Sequence, residues 1–382
     1  MQFVAGNEIK LLRNGVEYFP ALEAAIHSAQ HEIYLQAYIY EHDRTGIRIG
    51  KALVAAAQRG VAVNVLLDGF GSQHLPKSYV ASLRSDGVKV MFYRPKISPW
   101  TLKKNRLRRL HSKVVVIDGI IAFVGGINVI DDENSPHQIP PRMDYAVKIT
   151  GNLLPAISSN VHKLWRRMQM MHLHRLYVPP ISETKPHLHA SNEVKAAFVI
   201  RDNILHRYDI ENAYLEAIQS AKNEIIIANA YFIPGRKFRR ALREAAKRGV
   251  KVTLLLQGRK EYFLMFATHA FYNEFLDNGI EIFEYRKSFM HCKVAVIDQI
   301  WSTVGSSNID PFSLLLARES NVFVKNETFA CTLRADIETL IANGSLKITP
   351  QTWGNASLLK RLASWLAYGL VRFFVGMIGY KH

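Results

Sequence analysis

The chain is poor in cysteine and in acid, and it has no apolar stretch long enough to cross a bilayer. Two cysteines, Cys292 and Cys331, in 382 residues exclude a disulfide framework. No His/Cys spacing of a metal site occurs, so neither a metal nor another cofactor is expected. Asp and Glu total 32 against 49 Lys and Arg, a formal charge of +17. Such an excess points to an anionic partner, either nucleic acid or an anionic membrane surface. Met1 to Gly15 carries no long apolar run, which argues against a signal peptide or an N-terminal anchor. Near the other end, Leu362 to Val371 is stopped by Arg372 and falls short of the roughly 20 residues a spanning helix needs. Hydrophobic residues still make up 48% of the chain, ample for the cores of two domains of ordinary size.

One short pattern occurs twice. His111-Ser112-Lys113 is followed by Asp118 and by Gly125-Gly126-Ile127-Asn128. His291-Cys292-Lys293 is followed by Asp298 and by Gly305-Ser306-Ser307-Asn308, with the same internal spacing. Val114 to Ile117 and Val294 to Ile297 read as short buried strands. Alternation along a strand points His111 and Lys113 the same way, and likewise His291 and Lys293. Asp118-Gly119 is a strong tight-turn dipeptide, and Asp298-Gln299 a weaker version of it. The small residues that end each return strand let backbone approach a ligand, and Asn128 and Asn308 then place an amide near it.

Two lysines and two histidines suit one phosphodiester. One His can attack phosphorus and hold a covalent phosphoryl group. The other can protonate the leaving oxygen and later deprotonate the incoming hydroxyl. Lysines and asparagines stabilise charge on the non-bridging oxygens, worth about 10²–10³ in rate per well-placed donor. No divalent ion is needed for this chemistry. The residues themselves leave open which histidine attacks, because the two copies are chemically equivalent.

The paired motifs resemble those of the phospholipase D superfamily, and the resemblance runs from about Gly6 to Phe323. Gly6-Asn7, the run Ile33 to Tyr40, Arg201-Asp202-Asn203, Ala228 to Pro234 and Ile309 to Ser313 together resemble bacterial cardiolipin synthases, in particular the class without N-terminal membrane helices. The resemblance implies an α/β fold of two tandem phospholipase D-type α/β/α sandwich halves. These would be related by pseudo-twofold symmetry, with the active site at their interface. It implies a catalytic set of His111, Lys113, Asp118, His291, Lys293 and Asp298, with His111 as nucleophile and His291 as general acid and base. It further implies that Asp144 and Glu319 each orient the histidine of the other half. Asn128, Asn308 and Ser307 would bind or orient substrate. The turn position of Asp118 and Asp298 suggests a structural role more than direct chemistry. The activity implied is transfer of a phosphatidyl group from phosphatidylglycerol to a second phosphatidylglycerol, releasing glycerol. The partners are then an anionic phospholipid and the cytoplasmic face of the inner membrane, not nucleic acid. A phospholipase D or nuclease of the same superfamily is the alternative.

The duplication reaches beyond the motifs. Leu22 to Tyr40 matches Leu215 to Phe232, and Ala57 to Val63 matches Ala246 to Val252, where a helix ends on Gly and a strand follows. The repeated order of helices and strands predicts an α/β pattern with mostly parallel strands. The halves are expected at 1–178 and 193–350, joined by a linker at 179–192 and followed by an amphipathic, membrane-associating tail at 351–382. Basic residues gather before His111 (Arg94, Lys96, Lys103, Lys104, Arg106, Arg108, Arg109) and around Lys163, Trp165, Arg166 and Arg167. The first stretch reads either as a solvated loop or as a rim contacting phosphate head groups, and the second either as the end of a helix linking the halves or as a membrane contact. An apolar stretch containing Tyr262 to Phe266, Phe271, Tyr272 and Phe275 reads either as core or as a lining for acyl chains.

Overall fold

A computed structural model describes residues 1–95, 108–135, 138–171, 194–259, 263–354, 364–370 and 373. The first half runs β1 (Val4–Arg13), α1 (Asn14–Ser28), β2 (Glu32–Ala37), α2 (Arg44–Gln58), β3 (Ala62–Asp68), α3 (Lys77–Ser85), β4 (Lys89–Tyr93), β5 (Lys113–Ile117), β6 (Ile121–Gly125), β7 (Tyr145–Gly151) and α4 (Leu154–Met171). The second runs β8 (Val194–Arg201), α5 (Asp209–Ser220), β9 (Glu224–Asn229), α6 (Arg236–Lys247), β10 (Lys251–Gln257), α7 (Phe263–His269), α8 (Tyr272–Leu276), β11 (Glu281–Tyr285), β12 (Lys293–Ile297), β13 (Trp301–Gly305), α9 (Pro311–Leu315), β14 (Glu319–Lys325) and α10 (Glu327–Gly344), with β15 (Ser345–Ile348) and α11 (Pro350–Gly354) added at the end.

The strands hydrogen-bond in the order β15-β11-β10-β9-β12-β13-β14-β8-β1-β7-β6-β5-β2-β3-β4. Reading outward from the β8–β1 seam, the two halves match over seven strands each, and β15 extends the second. The seam is short: β1 pairs with β8 only at Val4–Ala196 and Asn7–Val194. Beyond it the sheet doubles back, so that β5, β6 and β7 pack against β13 and β14. Val114, Val116, Val124 and Val147 share one buried cluster with Val294, Val296, Val304 and Val322. Helices α4 and α10 seal this inner core through Leu164, Trp165, Leu333 and Ile337. The other sheet faces are covered by α1 to α3 in one half and by α5 to α8 in the other. Both faces of the central strands are thereby buried, which is why β2 and β9 are buried at every residue.

Mostly parallel strands are not what the chain forms. Only β2–β3, β3–β4, β9–β10 and β10–β11 are parallel, and the other ten pairings among the described residues are antiparallel. The reason is local. Each motif folds as a hairpin on a tight turn, and the next strand returns antiparallel beside it rather than by a parallel crossover. The helix stops do follow the sequence. α2 and α6 end at Arg59-Gly60 and Arg248-Gly249, with the glycines at φ +91° and +87°.

The apolar stretch before the second motif resolves in favour of core where it is described: Phe271, Tyr272 and Phe275 are fully buried. Tyr262 and the side chains of Phe263 to Met265 lie outside the described residues, as do Lys96, Lys103, Lys104, Arg106 and the linker expected at 179–192. The described part of the tail, 364–370, is helical. Its Ala367 packs into the second-half core, and Tyr368 lies edge-on to Phe271 at 4.7 Å. Trp365, Leu366 and Leu370 stay exposed, as does Phe373. Among the described residues no helix is long and apolar enough to cross a membrane.

Candidate active site

Each motif histidine stands just ahead of the first strand of its hairpin, and the opposite half holds its backbone. His111 N–H donates to Arg318 O at 2.9 Å, and Arg318 N–H donates to Arg109 O at 2.7 Å. His291 N–H donates to Met143 O at 2.7 Å, and Met143 N–H donates to Phe289 O at 2.8 Å. These two short bridges zip the foot of each hairpin to the strand entrance of the other half. The residue after each bridge is a buried carboxylate. Glu319 therefore meets His111, with Nδ1 at 2.8 and 3.0 Å from its two oxygens. Asp144 meets His291, with Nδ1 at 2.6 Å from Oδ2. A carboxylate on Nδ1 keeps the proton there and leaves Nε2 as the reactive nitrogen.

The two lysines lie beside them. Lys113 and Lys293 are 3% and 0% exposed, and the ammonium of each donates to the carbonyl of the histidine two residues earlier. Lys293 also lies 3.7 Å from Asp144. Burial governs the electrostatics, and the carboxylates and cations nearby modify it. Burial, with Lys293 nearby and only partly offset by Glu319, lowers the Lys113 ammonium to about 7. Lys293 is lowered by burial too, with Asp144 opposing. Burial lowers His111 while Glu319 holds it up. His291 is pushed down further, by burial and then by Lys293, Arg142 and Lys113. A phosphodiester bound here would supply negative charge that raises the proton affinity of both ammonium groups and both imidazoles.

The predicted orienting residues are present at this end of the hairpins. Asn128 accepts from Ile39 N–H at 3.0 Å, and its buried Nδ2 has no partner among the described residues. The Asn308 amide reaches Ser313 at 3.5 Å, and its Oδ1 has no partner among the described residues. Ser307 Oγ donates to Asn308 O at 3.3 Å. The small residues have distinct jobs in the two halves. A Cβ on Gly126 would come within 2.2 Å of Asp144, so only glycine leaves room for that carboxylate. In the equivalent place Ser306 Oγ donates to Glu319 at 2.5 Å.

Asp118 and Asp298, grouped with the catalytic residues by motif, lie at the opposite end of their strands from the histidines. Asp118 accepts the backbone N–H groups of Gln30, His31 and Glu32, each at 2.8 Å. Asp298 does the same for Lys222, Asn223 and Glu224. Each aspartate clamps the entry of β2 or β9 to the turn of the hairpin beside it, which sets the register of the strand that carries His and Lys.

Three neighbours escaped the sequence reading. Tyr38 stacks edge-on to His111 at 4.8 Å and also lies 5.3 Å from the Lys113 ammonium. Asp68 accepts Leu110 N–H at 2.8 Å and lies 3.4 Å from Arg109. Arg142 packs over Phe289 at 4.9 Å and adds to the positive field at His291. Arg142 and Asp68 are lone charges in unremarkable contexts, and only the doubled-back sheet brings them here. Among the described residues no group of three or more His, Cys, Asp or Glu side chains is placed to hold a metal ion.

Residues 22–137 and 214–341 match the family described as cardiolipin synthase, phospholipase D-like domain. Cardiolipin synthase B of Salmonella typhi is 38% identical over 98% of this chain and 90% of its own length. Cardiolipin synthase B of Escherichia coli K12 is 37% identical over the same shares, and cardiolipin synthase A of Pseudomonas putida 32% over 86% of the chain and 67% of its own length. Among solved structures, phosphatidylserine synthase of Haemophilus influenzae superposes with a TM-score of 0.73 at 13% identity, over 97% of this chain and 95% of that one. That likeness shows the fold alone. The sequence matches cover both halves and both motifs, and the chain belongs to the cardiolipin synthase family of phospholipase D-like proteins.

Proposed function

We propose that the protein makes cardiolipin by phosphatidyl transfer between two phosphatidylglycerol molecules at the site between its halves. The observation that carries this reading is the pair of imidazoles, each held on Nδ1 by a carboxylate of the opposite half, with two buried lysines beside them. In the first step His111 Nε2 attacks phosphorus and the bond from phosphorus to the glycerol oxygen breaks. That oxygen takes the proton from His291 Nε2, and glycerol leaves. In the second step the hydroxyl of another phosphatidylglycerol gives its proton to His291 as its oxygen attacks phosphorus. The P–N bond breaks and His111 is restored. One phosphodiester replaces another, so no nucleotide is consumed. Lys113, Lys293 and the Asn128 amide are suited to bind the non-bridging oxygens. The protein would act as a peripheral enzyme on the cytoplasmic face of the inner membrane.

One observation favours exchanged roles for the histidines. Burial, and then the cations around His291, lower its proton affinity further than burial lowers that of His111, which Glu319 holds up. A neutral His291 is the readier nucleophile and His111 the readier acid. Acid-free isolation of the phosphorylated peptide after brief mixing with phosphatidylglycerol assigns the attack to one residue.

The test of the reaction is a mass-spectrometric product assay on phosphatidylglycerol vesicles containing EDTA, with His111→Ala alongside. Cardiolipin and free glycerol, both lost in the variant, are expected. Phosphatidic acid without cardiolipin would make water the acceptor and the protein a phospholipase.

A further inference from the structure

A groove of about 910 Å³ lies beside the β8–β1 seam, outside the catalytic pair. Its floor is β8 from Ala197 to Ile200, where the edge facing β1 has no strand partner among the described residues. One wall is α4, which presents Lys163, Leu164 and Arg167. The other wall is the segment 202–208 with the start of α5. Arg318 also lines the groove; its carbonyl accepts the N–H of His111, and its next residue is Glu319. The groove thus comes within one residue of an active-site carboxylate.

The mouth is apolar in a way that solvated loops are not. Asp202 accepts the N–H groups of Ile204, Leu205 and His206 at 2.9, 3.0 and 3.0 Å, so the loop is tied into a fixed shape. That shape displays Ile204 at 60% and Leu205 at 80% exposure, with Tyr208 also exposed. Across the groove, the last turn of α4 exposes Met170 and Met171. Contiguous large apolar side chains on a surface mark a contact site. The charge beneath them selects the partner. Lys163 and Arg167 lie one helical turn apart on the groove wall, just below the methionines, with Arg166 beside them. The opposite wall carries acid: Asp209 is paired with His206 at 2.7 Å, Asp202 accepts the N–H groups of its own loop, and Glu216 lies further along. An apolar tip with cations one turn behind it matches the depth profile of an anionic bilayer, with acyl chains inside and phosphates at the rim.

We propose that this loop and the end of α4 dip into an anionic membrane, and that the groove admits a diacyl glycerophospholipid edgewise toward His111. The identity of that lipid as substrate rests on the phosphatidyl-transfer reading, whereas the membrane contact itself does not. The tail helix sits on a different surface, against Phe271 of the second-half outer core.

The test is flotation of the full chain with vesicles of phosphatidylglycerol and phosphatidylcholine, and with phosphatidylcholine alone. Ile204→Asp/Leu205→Asp should lower binding to the anionic vesicles by about tenfold or more. Lys163→Glu/Arg167→Glu should lower it by about tenfold and remove most of the preference for phosphatidylglycerol. Ile120→Asp, at an exposed turn of the first motif hairpin, should bind like the parent. If the double aspartate variant melts early, Leu205→Ser gives the same readout with less disturbance. Parental binding by the loop variants overturns the contact. Ala156→Trp, which fills the groove from α4, should keep vesicle binding and lose turnover of long-chain lipid. Full turnover in that variant overturns the entry route. A parent that floats through the loop but forms no lipid product leaves the contact standing and refutes the reaction. Product formation with no loop dependence does the reverse.

Discussion

His111 and His291 occupy equivalent places at the feet of β5 and β12, yet their surroundings have drifted apart. His111 lies against Tyr38, beside the Arg109–Asp68 pair, and its carboxylate Glu319 is held by the Ser306 hydroxyl. His291 has Ala230 where the first half has Tyr38. Its carboxylate Asp144 sits in the gap left by Gly126, and Arg142 adds a further positive charge. The crossed carboxylates are the shared feature and the small residues behind them are the divergent one. Duplication supplied two copies of one half-site, and crossing made each copy incomplete without the other. Divergence could then give the two imidazoles different proton affinities, which is what an attacking group and a proton carrier require.

The largest expected effect removes that pairing outright. His111→Ala and His291→Ala should each lower turnover by about 10⁴-fold or more, because groups acting as a unit fail together. The comparison is sharpened by rapid-quench trapping. The variant that keeps the nucleophile still accumulates a phosphohistidine when the leaving group is a good one, and the other variant does not. If both variants form it, the two-role scheme is wrong. The carboxylates come next. Glu319→Gln and Asp144→Asn leave the shape intact but no longer hold the Nδ1 proton firmly, and each should cost about 10³-fold in kcat with little change in KM. Equal activity in either variant would break the crossed arrangement as the basis of the chemistry.

Exchanging the residues behind the carboxylates asks whether the halves are interchangeable. Gly126→Ser puts a side chain where Asp144 lies, 2.2 Å from the would-be Cβ, and should cost about 10²-fold by displacing the carboxylate. Ser306→Gly only removes a hydrogen bond to Glu319 and should cost about tenfold. Losses of the same size in both would mean that the halves had not diverged here.

The depressed Lys113 gives a pH signature to the first half. Its ammonium titrates at about 7 folded and at the ordinary 10.5 unfolded. Between these values the unfolded chain binds more protons, so the empty protein gains stability as pH rises from 7 toward 10.5. Below 7 both states are protonated at this group and the contribution is flat. The melting temperature, measured against pH from 7 to 9, should therefore rise more steeply in the parent than in Lys113→Met. Orthovanadate or phosphate at saturation should flatten the parent slope, because an anion holds the proton on the lysine. A slope that survives both changes belongs to other groups.

How much of this was legible beforehand depended on whether the signal was local. The hairpins were legible because Val114 to Ile117 and Val294 to Ile297 are bounded by turn dipeptides. The glycine helix stops were legible because Gly60 and Gly249 repeat in register. The carboxylates Asp144 and Glu319 were reachable only through resemblance, since nothing near them in sequence says that they face a histidine on the other half. Arg142, Asp68 and Tyr38 gave no signal, because their relevance exists only once the sheet has doubled back. The proportion of parallel strands was misjudged for a related reason: strands β7 and β14 return beside the motif hairpins, and their pairing partners are set by the tertiary fold. The seam strand β1 alternates weakly and carries Gly6 and Asn7 near its start, so its period is easily missed.

The smallest predicted effect compares the motif turns themselves. Asp118 and Gly119 take φ +50° and +66°, and Asp298 and Gln299 take +50° and +56°. Both turns need two left-handed residues, which aspartate tolerates and glycine accepts freely, whereas Gln299 is strained by its Cβ. Gln299→Gly should therefore stabilise the fold by about 0.5 kcal/mol, the strain relieved exceeding the extra entropy glycine gives the unfolded chain. Gly119→Gln should destabilise it by about 1 kcal/mol. Turnover should stay at the parental level in both, because the turns lie at the far end of the strands from His111 and His291. Urea melts of the pair decide it. A loss of stability in Gln299→Gly would mean that the glutamine side chain, 3.8 Å from the Cys331 sulfur, contributes more through its contacts than its backbone conformation costs.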